Sequence, residues 1–249
     1  MEWFLVQTLL VLYTFHILGD FYFQSNNMAK KKKEHIGAFI LHIVIYAISM
    51  SIIFLCAPVI RALISWTIIS VSHLIIDKIR VSFDRNENHR KKSIISFIID
   101  QVLHLLVILG CYIAFLRFNP GFIHHQLFVL PWFRTVLIYA SILLIVIKPT
   151  AILISCVFDC CFYTTDTMDK NQTDPGAGRW IGILERIIVV ILVLLNASSA
   201  IGFVLTAKSI ARFKQLEDNK GFAEHYLIGT LLSVSIALGI VLLIPLLCP

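Results

Sequence analysis

Charge is scarce in this chain. Acidic and basic side chains make up 14% of its 249 residues, against 58% hydrophobic ones, and the mean hydropathy is +0.86. A water-soluble domain neither buries nor exposes that much apolar surface, so that class is excluded. The six cysteines (Cys56, Cys111, Cys156, Cys160, Cys161 and Cys248) contain no CxxC spacing and most sit inside apolar runs, which argues against a disulfide framework and for packing. Also missing are HExxH, a nucleophile elbow and a P-loop, which removes support for a soluble-style protease, esterase or nucleoside triphosphatase. No segment repeats convincingly with a period of about 20 to 50 residues, so there is no case for a solenoid.

What is abundant is uninterrupted hydrocarbon. Runs long enough for a core of about 30 Å occupy residues 3–23, 36–57, 59–79, 94–118, 127–147 and 226–247, with shorter ones at 181–195 and 200–213. The expected fold is all-α: a polytopic transmembrane helical bundle of seven or eight helices, forming a single integral membrane domain over residues 1–249. The first run carries Glu2 where a signal peptide has a positive region, and it lacks a small-residue cleavage site, so it is expected to stay as a span. Lys148-Pro149 predicts a kink or break, because proline removes a backbone donor. Residues 159–179 read as a polar connection, and Asn196-Ala197-Ser198-Ser199 as a turn.

The net charge of +6 comes largely from short runs beside apolar segments, Lys30 to Lys33 and Arg90 to Lys92. Placed so, they read as topology signals and contacts for anionic membrane lipids rather than for nucleic acid, since no aromatic-interleaved basic surface accompanies them. The positive-inside rule puts both basic loops in the cytoplasm. The loop over residues 208–220 obeys the same rule if 181–195 and 200–213 form a short hairpin, which favours eight crossings over seven.

Against this background three pairs stand out: His16 with Asp20, His73 with Asp77, and Asp100 with His104. Each pair is four residues apart and so shares a helix face. A carboxylate near the bilayer centre costs roughly 2.5–3.5 kcal/mol on insertion scales, so three of them call for compensation. At 1.5 Å per residue Asp20 lies about 5 Å from the inner end of its segment, Asp100 about 10 Å and His104 about 16 Å deep, and His42 about 9 Å deep. The pairs therefore share one layer on the cytoplasmic side, and His42 can join them.

Imidazole and carboxylate together are the ligand set of zinc and other first-row divalent ions. His16, Asp20, His73, Asp77, Asp100 and His104 supply enough ligands for one filled site or two open ones, and an open position can activate water for hydrolysis. Three functional classes stay open: a metal-dependent membrane hydrolase, a proton- or ion-coupled transporter or channel, and a structural or regulatory partner whose pairs only join helices. Gln24 and Gln101 lie near the same layer as ligands, supporting donors or helix glue. Arg179 and Arg186 are the candidates for contact with an anionic substrate, beside Glu185, Lys208, Arg212 and Glu224; snorkelling cations are the plainer reading.

The stretches HILGDFYFQSNNMAKKKK, SHLIID and DQVLH, and later GRWIGILERIIVVILVLL, SAIGFVLTAKSIARF and EHYLIGTLLS, resemble the bacterial membrane family catalogued as domain of unknown function 3307. The early motifs resemble its N-terminal region and the later ones its longer members. The resemblance implies a multi-pass protein of the bacterial plasma membrane and no particular reaction. His16, Gly19, Asp20, His73, Asp77, Asp100 and His104 match its polar positions.

Overall fold

The computed structural model describes residues 2–32, 34–84, 92–116, 130–161 and 175–247. Among them the chain is helical throughout, as apolar segments in a bilayer must be to satisfy their own backbone groups. The order is α1 (Glu2–Ile17), a π-helical turn (Leu18–Tyr22), α2 (Asn26–Lys31), α3 (Ile36–Met50), α4 (Ile53–Cys56), α5 (Val59–Asp84) and α6 (Lys92–Cys111) ending in a second π turn (Tyr112–Leu116). Then come α7 (Pro131–Cys161), α8 (Pro175–Leu194), α9 (Ser199–Ile210), α10 (Phe213–Asp218) and α11 (Lys220–Leu247). Five of the described segments are long and apolar enough to cross a membrane: Ile36–Cys56, Val59–Phe83, Ile94–Leu116, Trp132–Cys160 and Lys220–Ile244.

The chain divides into two compact units, Met1–Leu144 with Leu247–Pro249, and Ile145–Leu246. In the first, α5 packs along α6 and α3, and α3 packs on α1 and its π turn. Leu12, Tyr46, Met50, Ile53, Ala62, Ile69 and Ile108 form the core. The opposite faces are apolar and bare: Ile40, Val44 and Ile48 on α3, Ile64, Ile68, Val71 and Ile75 on α5, Ile95, Ile99, Val102 and Leu106 on α6. These positions recur at helical spacing, so each helix turns hydrocarbon outward and its histidines and carboxylates inward, the pattern a lipid solvent selects. Polar contacts then join the helices. Trp66 Nε1 donates to the Ala47 carbonyl at 2.8 Å, Tyr22 to the Leu144 carbonyl at 2.8 Å, and Thr14 and Ser141 share a hydroxyl hydrogen bond of 2.7 Å.

In the second unit α8 and α9 form the expected hairpin. Asn196 adopts φ 57°, Ala197 N donates to Leu192 O at 2.8 Å and Asn196 N to Val193 O at 3.0 Å. This is a Schellman ending, with asparagine taking the left-handed position that most residues avoid. Two expectations change. Lys148-Pro149 does not break its helix, because α7 runs through Pro149: the Ile145 carbonyl, which proline cannot serve, accepts the Thr150 hydroxyl at 2.9 Å. The polar connection is also shorter than 159–179, since α7 reaches Cys161 and α8 opens at Pro175, a residue pre-set for a first helical turn. The rest of that connection, and the basic run Arg90 to Lys91, lie outside the described residues.

Candidate metal centre

The site is built around a local irregularity. Between Leu18 and Tyr22 the first helix widens to a π turn, and Phe23 N reaches back five residues to Leu18 O at 2.8 Å. Such one-residue insertions re-aim the side chains beyond them. Here the turn holds Gly19 against α3, where a methyl group in place of its hydrogen would stand 3.0 Å from Ser49 Cβ and 3.1 Å from Tyr46 Cδ2. Glycine suits this close approach, and the next residue, Asp20, sets its carboxylate beside His42.

Four side chains from three segments then converge: Asp20 from the π turn, His42 from α3, and His73 and Asp77 from α5. All are buried, and each offers a ligand atom such that the four lie within 4.8 Å of one another. His42 Nε2 is 3.1 Å from Asp77 Oδ2, 3.4 Å from Asp20 Oδ1 and 3.2 Å from His73 Nε2. Ligands held about 2.1 Å from a tetrahedral ion are separated by roughly 3.4 Å, close to these three spacings.

The polarity of the hydrogen bonds points the same way. His104 Nδ1 lies 2.7 Å from the Asp100 carbonyl, which can only accept, so this nitrogen carries the proton. With neutral rings, His104 Nε2 then presents a lone pair and accepts a hydrogen bond from His73 Nδ1–H at 2.7 Å. His73 Nε2 is left as a lone pair directed at His42. Three acceptors, from His73, Asp77 and Asp20, thus face one nitrogen that holds at most one proton. More lone pairs than protons at one point is the signature of a cation site. The Asp100 to His104 to His73 chain is also the arrangement that orients a metal-bound imidazole.

Around this core stand further polar groups. Lys32 Nζ donates to Asp77 Oδ2 at 2.9 Å, and Arg80 pairs with Asp100 Oδ2 at 2.7 Å. Gln101 donates to Asp20 Oδ2 at 3.1 Å and to Asp100 Oδ2 at 3.0 Å. Gln24, with its amide turned to suit its neighbours, donates to the Asp20 carbonyl at 3.0 Å and accepts from Lys32 at 3.2 Å. Tyr46 stacks on His73 with ring centroids 3.5 Å apart and planes at 6°, and its hydroxyl shares a 3.0 Å hydrogen bond with His16 Nδ1. Among the described residues, four buried atoms of the cluster have no hydrogen-bond partner: His16 Nε2, His42 Nδ1, Asp77 Oδ1 and Asp100 Oδ1.

All six residues singled out by spacing therefore sit in one buried cluster, but their roles divide. Asp20, His73 and Asp77 join the four-residue convergence, with His42 completing it. His104 and Asp100 support His73 from behind. His16 lies beside them, its ring centroid 5.1 Å from that of His104. Arg179 and Arg186 belong to the second unit. Arg179 is exposed, whereas Arg186 is buried and donates to the carbonyls of Val146 at 2.8 Å and Ile147 at 3.2 Å, serving the stretch of α7 that precedes Pro149. Glu185 pairs with Lys208, which also donates to Thr230 at 2.9 Å. Lys32 and Tyr46 are site residues that the His/Asp spacing does not reveal. Tyr46 has the pairs' own spacing from His42, while Lys32 is concealed in a run that reads as a topology signal.

Fold and site together define a helical membrane protein with a buried centre of histidine and aspartate. The family model described as Protein of unknown function (DUF3307) matches residues 8–130, the stretch that contains every residue of the cluster, and over that stretch the chain is similar to this family, as its early motifs imply. The later motifs that also resemble it fall outside the match. No curated protein and no solved structure matches the chain.

Proposed function

We propose that this protein is a metal-dependent membrane hydrolase of the bacterial plasma membrane, in which Asp20, His42, His73 and Asp77 hold a divalent ion such as zinc. The observation that carries the reading is the convergence of those four buried ligand atoms within 4.8 Å, with three of them facing a single imidazole nitrogen. His104 and Asp100 orient His73, and His16 completes the polar wall. For an ion that accepts five or six ligands, four protein atoms leave room for a water and a substrate atom, the arrangement that generates a nucleophile at neutral pH. The seven or eight crossings result if α1 with its π turn and the α8–α9 hairpin are added to the five long spans, with Lys30 to Lys33 on the cytoplasmic side.

Metal analysis of the purified, folded protein after exposure to zinc or manganese tests this. Wild type should retain about one ion per chain. His73→Ala and Asp77→Asn should each lower affinity by more than about a hundredfold, since removing even a supporting neighbour of a ligand costs about ten- to a hundredfold. Folded wild-type protein that takes up no stoichiometric metal refutes the reading. One observation favours a second: the rings of His42, His73 and His104 form a continuous chain of 3.2 Å and 2.7 Å contacts, a candidate proton path of the kind transporters use. Proton flux in liposomes that His73→Ala abolishes, without metal dependence, would support it instead.

A further inference from the structure

We infer that the centre, once it holds its divalent ion, binds an anion of the phosphate class between that ion and Lys32. The inference rests on the metal reading and adds to it a ligand chemistry and the residue that selects it.

Charge balance is the first argument. Asp20 and Asp77 contribute two formal negative charges and Lys32 one positive, Arg80 and Asp100 pair at 2.7 Å, and an imidazole ligates a metal in its neutral form. A divalent ion leaves the inner groups with one net positive charge. An unbalanced charge in a setting this dry is costly. An anion removes the imbalance.

Position is the second. Lys32 Nζ is 2.9 Å from Asp77 Oδ2, so the ammonium stands one hydrogen bond from a proposed ligand oxygen. Its side chain is 10% exposed, against 1% for Asp77, and the nearby Glu34 and His35 are exposed. His16, His42 and His73 are fully enclosed. Lys32 therefore stands where the cluster meets its surroundings, and an incoming group meets the lysine before it meets the ion. The third argument is unused bonding capacity. Among the described residues Asp77 Oδ1 has no hydrogen-bond partner, so the carboxylate can keep the ion through one oxygen while the lysine turns its donors to an incoming oxyanion. Lysine serves phosphate as a compact charge with three movable donors, and a tetrahedral oxyanion has oxygens enough to touch the ion and the ammonium together.

The same chemistry can arrive as a soluble phosphate or as a lipid headgroup, and one experiment separates them. The full-length protein in nanodiscs of neutral lipid is titrated with manganese and then with inorganic phosphate, read by calorimetry and by paramagnetic broadening of the phosphorus resonance. Wild type should bind phosphate only when manganese is present. Lys32→Met should bind manganese at least as tightly, which also establishes that it folds, and lose phosphate affinity by about ten- to a hundredfold, the worth of one charge-assisted hydrogen bond. Lys32→Gln provides the same comparison should methionine prevent folding. Phosphatidic acid in the nanodisc that competes with phosphate supports the headgroup as source, and absence of competition supports the soluble anion. Manganese uptake without phosphate binding, equal binding of acetate, or undiminished phosphate binding by Lys32→Met overturns this inference alone. Failure to take up any metal overturns it together with the metal reading.

Discussion

Gly19→Ala is the smallest change that reaches the centre without touching a ligand. The added methyl group would lie 3.0 Å from Ser49 Cβ, 3.1 Å from Tyr46 Cδ2 and 3.2 Å from Ser49 Oγ, closer than carbon atoms normally approach. None of these neighbours can give way cheaply. Ser49 Cβ is fixed to the backbone, and Ser49 Oγ donates to the Phe15 carbonyl at 2.8 Å. The Tyr46 ring is clamped between His73, on which it stacks, and His16, to which it is hydrogen-bonded. The strain must therefore appear as movement of the π turn away from α3. Overpacking of this kind costs about 1–3 kcal/mol, or roughly five- to 150-fold in an unfolding equilibrium. Because Asp20 adjoins Gly19 directly, the same movement draws its carboxylate from His42, so metal affinity should fall with stability. Unfolding titrations in mixed micelles and metal titrations on the same preparations measure both. Ser49→Gly removes the nearest obstruction, and the Gly19→Ala/Ser49→Gly double variant should regain part of each loss, giving a favourable coupling of about 1 kcal/mol. A Gly19→Ala protein with wild-type stability and wild-type metal affinity would refute the argument that this contact seats the aspartate.

Two further predictions concern the second unit. Thr150→Val keeps the shape of the side chain but leaves the Ile145 carbonyl without the hydroxyl it accepts, so it should cost about 0.6 kcal/mol, the average for hydrogen bonds between groups inside a bilayer, and no more than about 1.7. Thr150→Ser should stay close to wild type in the same unfolding assay, and equal stability of the valine and serine variants would show the hydroxyl to be idle. Lys208→Met strands the buried Glu185 carboxylate, whose other oxygen already lacks a partner, and should destabilise by about 2 kcal/mol or more. Adding Glu185→Gln should recover most of that, and a double variant as unstable as the single one would mean the pair is not what matters.

Much of this architecture is legible in the sequence because a bilayer constrains it so strongly. Long apolar runs leave helix as the only option, and a four-residue spacing fixes a face, so His16, Asp20, His73, Asp77, Asp100 and His104 can be brought to one layer by counting rise alone. Spacing does not disclose partners. Asp20 and Asp77 both turn to His42, a residue without a carboxylate at four-residue spacing, because helix contacts between segments decide which acceptors meet. The second histidine nitrogen of His73 goes to His104, a choice set by the Asp100 backbone carbonyl and invisible in side-chain patterns. Lys32 sits in a run of four lysines, and only the fold shows that its ammonium reaches Asp77. Pro149 misleads for a related reason: the rule that proline interrupts a helix is about a missing donor, and the hydroxyl that replaces it sits on the very next residue.

The π turn at Leu18–Tyr22 has a consequence for how such a centre can change. Each residue gained or lost in an α-helix rotates everything beyond it by about 100°, so a helix that both packs and aims a ligand normally cannot alter one setting without the other. A wide turn placed between the two separates them. Val11, Leu12 and Ile17 hold the phase of the first helix against its neighbours, while the aim of Asp20 is set independently by a single surplus residue. A one-residue deletion there would leave the upstream packing in phase and swing the carboxylate away from His42, so the centre could be switched off, or redirected, without dismantling the bundle that carries it.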